Sequence, residues 1–347
     1  MKVGILTLPY EPNYGWAVQL WALYHIIEKL GHEPVVINRR WNNTEKSPII
    51  SFKRFLYYNV ICRRFSKFLN IEIHNKTSII RCSESMKIIS ENFDAIIVGS
   101  DQVWRIENTR GVDLNFFCDF VSNPKIRKIS YAASFGKDTW QGNLEETQNV
   151  AKLLHGFYSI SVRESSGVQL CRDLFGVNAI NVLDPTLLLN SEDYNLLLSN
   201  PKEKNQITSY ILDSTEEKIR TINLISEHYK ASLVSLFPKH QITYYKSVYN
   251  WLENIRDARC VIVDSFHGMV FSIIFHKNFV VLANNKRGLT RFVSLLSQLG
   301  IEDRLTFDFS YKNVISILSR KIDYSSVDIK LSNLQNLSLD FIKKSLN

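Results

Sequence analysis

Hydrophobic and polar positions along the chain repeat a strand-then-helix pattern. KVGILTL, Lys2 to Leu8, is an apolar run of strand length, followed by a mostly apolar helical stretch, Trp16 to Leu30, that Gly31 closes as a C-cap. EPVVIN is a second strand, so a strand, helix, strand unit fits within about 40 residues, the signature of a parallel sheet. DAIIVGS, KISYAAS, YSISVRE and NAINVLD then read as strands ending in small or polar residues, with helical stretches between some of them.

The pattern restarts near residue 190 with NQITSYILD, ASLVSLFP, the helical WLENIRDA, CVIVDS, a helix and NFVVLAN. Two such α/β series predict two Rossmann-like, doubly wound domains facing each other across a cleft. The polar, proline-bearing NSEDYNLLLSNPKEKN marks their boundary, giving domains over 1–190 and 191–325. Leu334, Leu337, Phe341 and Leu346 fall at helical spacing, so an amphipathic helix is expected over 326–347.

With 45% hydrophobic residues in 347, both domains can fill a core. Five cysteines (Cys62, Cys82, Cys118, Cys171 and Cys260) are scattered without a CxxC pair, so they are expected to be reduced packing residues rather than disulfides or zinc ligands. The N-terminus lacks a signal pattern, and no apolar run approaches about 18 residues, so a soluble, cytoplasmic protein is expected.

Charge adds a local feature. The formal net charge is +8, and residues 39–87 hold eleven Lys or Arg against three Glu, so this basic insertion accounts for all of it. Within it, helical spacing puts Tyr57, Tyr58, Ile61, Phe65, Phe68 and Leu69 on one face and Arg63, Arg64 and Lys67 opposite. The apolar face either packs on the domain or lies on an anionic membrane surface. No nucleic-acid motif accompanies the charge, and no nucleic-acid partner is expected.

Candidate chemistry clusters where strands run into helices. CVIVDSFHGMVFSIIF interrupts a buried run with Asp264, Ser265, His267 and Gly268. At the carboxyl end of a strand these residues meet the free N–H groups of the next helix, where an anion gains about 0.3 to 2 kcal/mol from the helix dipole, and Gly268 lets a ligand near the backbone. Ser265 reads equally as a plain cap, and His267 as an internal histidine. The next loop, NFVVLANNKRGLTRF, brings Lys286, Arg287 and Arg291 around Gly288 and Thr290, an anion cradle or a set of solvated loop charges. In the first half, Asn13, Tyr14 and Gly15 form the first strand-to-helix turn. Ser100, Asp101 and Gln102 end a strand beside Trp104, a set suited to sugar hydroxyls that also passes as an Asp cap. Arg163 ends YSISV, placed to fork onto a carboxylate or phosphate or to sit as an exposed charge. No HxH, DxD or EF-hand spacing calls for a metal.

Together PNYGWAVQLWAL, FDAIIVGSDQVW, ISVRESSGVQLCRDLFG, VLDPTLLL, VIVDSFHGMVFSIIF and NKRGLTRFVSLLSQLGIEDRL resemble the polysaccharide pyruvyl transferase family over roughly residues 3–305. The resemblance implies a GT-B-like fold and transfer of pyruvate from phosphoenolpyruvate onto two hydroxyls of one sugar as a cyclic ketal. It implies an N-terminal acceptor side and a C-terminal donor side, with Arg163 and His267 holding or activating phosphoenolpyruvate and His267 as general acid. Asp264 would orient that histidine or accept the hydroxyl proton, and Asp101 would hold the acceptor. Some members carry an arginine where this chain has Ser265, leaving Lys286, Arg287 or Arg291 to supply the charge. Phosphoenolpyruvate is then a co-substrate with no further cofactor, and the expected acceptor is a lipid-linked oligosaccharide of an exopolysaccharide or capsule at the inner face of the membrane. The rival readings are a GT-B glycosyltransferase using a nucleotide sugar and a non-catalytic saccharide- or anion-binding partner in polysaccharide assembly.

Overall fold

A computed structural model describes residues 1–42, 63–112, 114–237, 245–284 and 288–347. These divide into two compact units. The first holds β1 (Lys2–Leu6), α1 (Tyr14–Lys29), β2 (Glu33–Val36), most of the segment carrying α2 (Arg63–Glu72) and α3 (Ser83–Ser90), β3 (Ala95–Val98), α4 (Ile106–Thr109) and β4 (Arg127–Ala133). It continues through α5 (Leu144–Leu154), β5 (Ser159–Val162), α6 (Ser165–Phe175) and β6 (Ile180–Asn181). All six strands are parallel, in the order β2-β1-β3-β4-β5-β6.

That order has one reversal. The chain leaves β1 toward β2 on one side, then returns to place β3 on the other, with Leu6 paired to Val98 at the last rung. The loops after β1 and β3 therefore diverge at the carboxyl edge, the topological switch point where doubly wound sheets bind ligands. Helix α1 is apolar on nearly every face, and 13 of its 16 residues are buried. Strands β4 and β5 are knitted by two buried serines: Ser130 Oγ donates to Ser161 O and Ser161 Oγ to Ser130 O, beside a register shift between Ser130 and Ala133.

The second unit contains α7 (Ser191–Asn195), β7 (Gln206–Tyr210), α8 (Glu216–His228), β8 (Ser232–Ser235), α9 (Val248–Arg256), β9 (Cys260–Val263) and α10 (Phe266–Ile274). β10 (Asn278–Leu282), α11 (Thr290–Leu299), β11 (Leu305–Thr306) and α12 (Tyr311–Ser319) complete it. Its five parallel strands run β11-β10-β9-β7-β8, which puts a second switch point between β7 and β9. Both units are thus Rossmann-like and doubly wound, as the alternating pattern predicts.

Two segments group by packing rather than by chain order. Residues 63–68 belong with the second unit, because Phe65 and Phe68 stack edge-on against Tyr245 and Tyr249 at 5.4 and 5.3 Å. The apolar face of this helix is therefore taken up by protein, with Arg63, Arg64 and Lys67 exposed; Tyr57, Tyr58 and Ile61 lie outside the described residues. The closing helix α13 (Tyr324–Leu346) returns its residues from Asn333 onward to the first unit, burying Phe341 and Leu346, while Leu337 stays 47% exposed. No described helix is long and apolar enough to cross a membrane.

Cys118, Cys171 and Cys260 are free and buried, with burial raising all three thiol pKa values, those of Cys171 and Cys260 to about 12; Cys82 is exposed. Trp104 corrects its expected role as an acceptor platform. It is 0% exposed, stacks on Phe117 at 5.6 Å and donates from Nε1 to Phe116 O at 2.8 Å, so its ring is core. Trp104→Ala should destabilise the protein by about 3–5 kcal/mol in a denaturant titration, as truncation of a buried aromatic does.

Candidate functional site

The carboxyl edge of the first sheet gathers polar residues that lie far apart in the sequence. Arg163 follows β5, and its Nη1 donates to Asp184 Oδ2 at 2.5 Å and to Ser100 Oγ at 3.2 Å, while Nη2 lies 3.8 Å from Asp101 Oδ1. Ser100 Oγ also donates to Asp184, whose other oxygen accepts from Thr186 N and Thr186 Oγ1. Burial works to lower the Arg163 pKa, but the charges of Asp184, Asp101 and Glu164 outweigh it and hold the guanidinium above its ordinary value. Glu164 Oε1 accepts from Ser134 Oγ, Phe135 N and Gly136 N, which fixes the loop after β4. From the other side of the switch point, buried Gln19 donates to Thr7 Oγ1, which donates to Ser100 O.

The backbone is strained here. Asp101 has φ 87° and Ala132 has φ 52°, and Asp101 bridges to Ala133. Non-glycine residues in this region cost about 1–3 kcal/mol and persist where surrounding contacts over-determine them. Gln102 N donates to Asp101 Oδ1, and the Gln102 side chain accepts from Arg105 and Asn108. Asn13 caps α1, its side chain accepting from Trp16 N. Tyr14 and Gly15 are buried in the first turn of that helix, so neither offers the acceptor-binding surface expected of it.

At the carboxyl edge of the second sheet, Asp264 is fully buried just after β9. It accepts from Leu212 N at 2.6 Å, Asp213 N at 3.1 Å and Lys218 Nζ at 3.1 Å. These bonds tie the loop after β7 to the loop after β9, and Asn284 beyond β10 joins them by donating to Asp213. Asp264 is thereby a structural clamp, fully buried and accepting three bonds from backbone donors and a buried ammonium, and not the solvent-facing carboxylate a catalytic role needs.

Ser265 caps α10 by accepting from Gly268 N, and His267 lies in the first turn at 7% exposure, its ring edge-on to Phe266 at 5.3 Å. Arg291, in the first turn of α11 and also 7% exposed, places its guanidinium 5.4 Å above the Phe266 ring. The second sheet edge thus brings His267, Ser265 and Arg291 together, whereas Lys286 and Arg287 lie outside the described residues. Gly268 serves packing and not ligand approach: an added Cβ would stand 2.9 Å from Val263 Cγ1 and 3.2 Å from Tyr210 Cδ1. Among the described residues, no group of three His, Cys, Asp or Glu is arranged to hold a metal ion.

Asp184, Glu164, Gln19 and Lys218 escaped the sequence reading. Asp184 left a trace, a carboxylate ending the strand-like NAINVLD before Pro185, but its partner Arg163 lies 21 positions away. Lys218 sits in the charged run TEEKIR, which looks like a solvated helix face.

The family described as polysaccharide pyruvyl transferase matches residues 13–286. The chain belongs to that family. The matched span holds Asn13, Ser100, Asp101, Arg163, Asp184, Asp264 and His267, so this pyruvyl transferase family member carries those residues within family sequence, while Thr7 and Arg291 lie outside it. No curated protein matches the chain in sequence. Among solved structures, UDP-GlcNAc 2-epimerase from Neisseria meningitidis, bound to UDP-GlcNAc, is similar with a TM-score of 0.58 at 11% identity, over 99% of this chain and 100% of that one. The UDP-GlcNAc 2-epimerase from Methanocaldococcus jannaschii is similar at TM-score 0.56 and 13% identity over 93% of each chain. A spinosyn rhamnosyltransferase gives TM-score 0.52 at 12% identity over 100% of both chains. These likenesses establish the fold class, GT-B.

Gly268→Ala provides a direct check of the packing. Helix propensity favours alanine by up to about 1 kcal/mol, whereas overpacking against Val263 and Tyr210 costs about 1–3 kcal/mol. Net destabilisation in a urea titration is the expected result.

Proposed function

We propose that this family member transfers pyruvate from phosphoenolpyruvate to two hydroxyls of one sugar in a surface polysaccharide repeat, forming a cyclic ketal and releasing phosphate. The observation that carries this reading is the family match over residues 13–286, which includes Arg163 of the first sheet edge and His267 of the second. The second edge supports it chemically. Phosphoenolpyruvate bears two anionic groups, and Arg291 with the amino end of α10 offers a cation and oriented N–H groups.

The chemistry needs an acid at the methylene carbon. His267 gives its proton to C3 of phosphoenolpyruvate, leaving a cation-like C2 that one sugar hydroxyl attacks. The C2–O bond to phosphate then breaks, and the second hydroxyl closes on C2. Of the two hydroxyl protons released, one replaces that delivered to C3 and the other leaves with phosphate. A lipid-carried oligosaccharide suits a chain with exposed Arg63, Arg64 and Lys67, because anionic lipid attracts such cations.

Purified protein incubated with phosphoenolpyruvate and galactose- or mannose-type acceptors should release inorganic phosphate and yield a pyruvate ketal detectable by mass spectrometry. Nucleoside diphosphate released from a sugar nucleotide, with no phosphate from phosphoenolpyruvate, would overturn the proposal in favour of glycosyl transfer. His267→Ala should lower kcat by about 10² or more, the scale of a lost general acid, when phosphate release is followed.

A further inference from the structure

We infer that Lys218 is a charge-balancing residue of the second sheet edge: its ammonium offsets the carboxylate of Asp264, so that the amino end of α10 can hold an anion. Both residues lie in the second unit. The inference rests on the pyruvyl-transfer reading for the identity of that anion, phosphoenolpyruvate.

The amino end of α10 has a negative charge built in beneath it. Asp264 lies one residue before the Ser265 cap, and its side chain is 0% exposed. A carboxylate at that place is itself the anion that a helix dipole favours. It also repels any second anion brought to the same N–H groups, and burial leaves that repulsion poorly screened. Asp213, on the loop after β7, adds a second carboxylate; its N–H donates to Asp264 and its side chain accepts from Asn284. Among the described residues of the loops after β7, β9 and β10, these are the two acidic groups, and Arg291 stands opposite them as a cation in the first turn of α11. On those charges alone the edge carries a negative surplus, which disfavours an anionic ligand.

Lys218 removes the surplus. It occupies the third position of α8, where its N–H donates to the Thr215 cap, and its side chain is 4% exposed. Nζ lies 3.1 Å from Asp264 Oδ2 and 3.3 Å from Asp213 O, and 5.1 Å from the centre of the Phe309 ring. Lysine is almost never buried to this degree without a partner. Joining the loops does not by itself require an ammonium, because Leu212 N and Asp213 N already tie the loop after β7 to Asp264. What the lysine adds to those two bonds is a positive charge.

Two substitutions separate charge from scaffolding, since they remove opposite signs from one pair. Sulfate, whose charge is constant near neutral pH, serves as the probe, titrated calorimetrically into the full chain. Lys218→Met should bind sulfate about 10-fold more weakly than wild type and Asp264→Asn about 10-fold more tightly, the scale of one partly buried charge acting at short range. The two backbone donors to Asp264 remain in Lys218→Met and favour its ionised form. Loss of a structural tie would instead weaken binding in both variants. The double variant, Lys218→Met with Asp264→Asn, restores a neutral pair and should bind sulfate as wild type does. The Kd for phosphoenolpyruvate should follow the same order. Unchanged affinity in folded Lys218→Met would overturn the inference, as would weaker binding in Asp264→Asn; should Lys218→Met not fold, the direction of change in Asp264→Asn decides. Wild-type protein that binds sulfate but neither binds phosphoenolpyruvate nor forms a ketal removes the pyruvyl-transfer reading and leaves the charge balance standing, whereas wild-type protein that binds no anion removes both.

Discussion

A carboxylate buried at the carboxyl end of a strand must find a counter-charge or a set of N–H donors, and both sheets of this protein are organised around one. Asp184 finds Arg163, Ser100 and Thr186; Asp264 finds Lys218 and two backbone N–H groups. Replacing such a pair with apolar residues is often neutral, but removing one partner strands the other, so each pair acts as an all-or-none fastener for the loops it joins. Asp184 fastens the ends of β3, β5 and β6, and Asp264 fastens the loop after β7 to the end of β9.

The two fasteners have different neighbours. In the first unit Arg163 Nη1 is bound to Asp184 and Ser100, and Asp101, on a strained backbone, is the more exposed carboxylate beside it. In the second unit Asp264 holds the loop after β7, and an imidazole and an arginine lie in the first turns of α10 and α11. A GT-B scaffold places such polar edges at two independent switch points, one in each Rossmann-like unit.

Where expectation and structure part, the reason is a contact between distant residues. Trp104 reads as an exposed platform because it follows a polar strand end, but the chain folds Phe116, Phe117 and Phe135 around it. Gly268 reads as a ligand-approach glycine because it follows a histidine, but Val263 and Tyr210 close on it from the neighbouring strands. Asp264 reads as catalytic because it interrupts an apolar run, yet that interruption is what binds Leu212 and Asp213, 52 and 51 residues upstream.

The alternation of apolar strands and helices, restarting near residue 190, sufficed by itself to specify two doubly wound parallel sheets, because strand and helix periods are local properties of the chain. The positions of His267, Asp101 and Arg163 at strand ends were legible for the same reason. Strand order was not, and with it went the location of both switch points, since parallel pairing is settled by which strands meet in three dimensions. Only the tertiary structure decided which polar residues at those ends act as fasteners: the partners of Arg163 and Asp264 are set by packing across tens of residues, and nothing in local spacing records them.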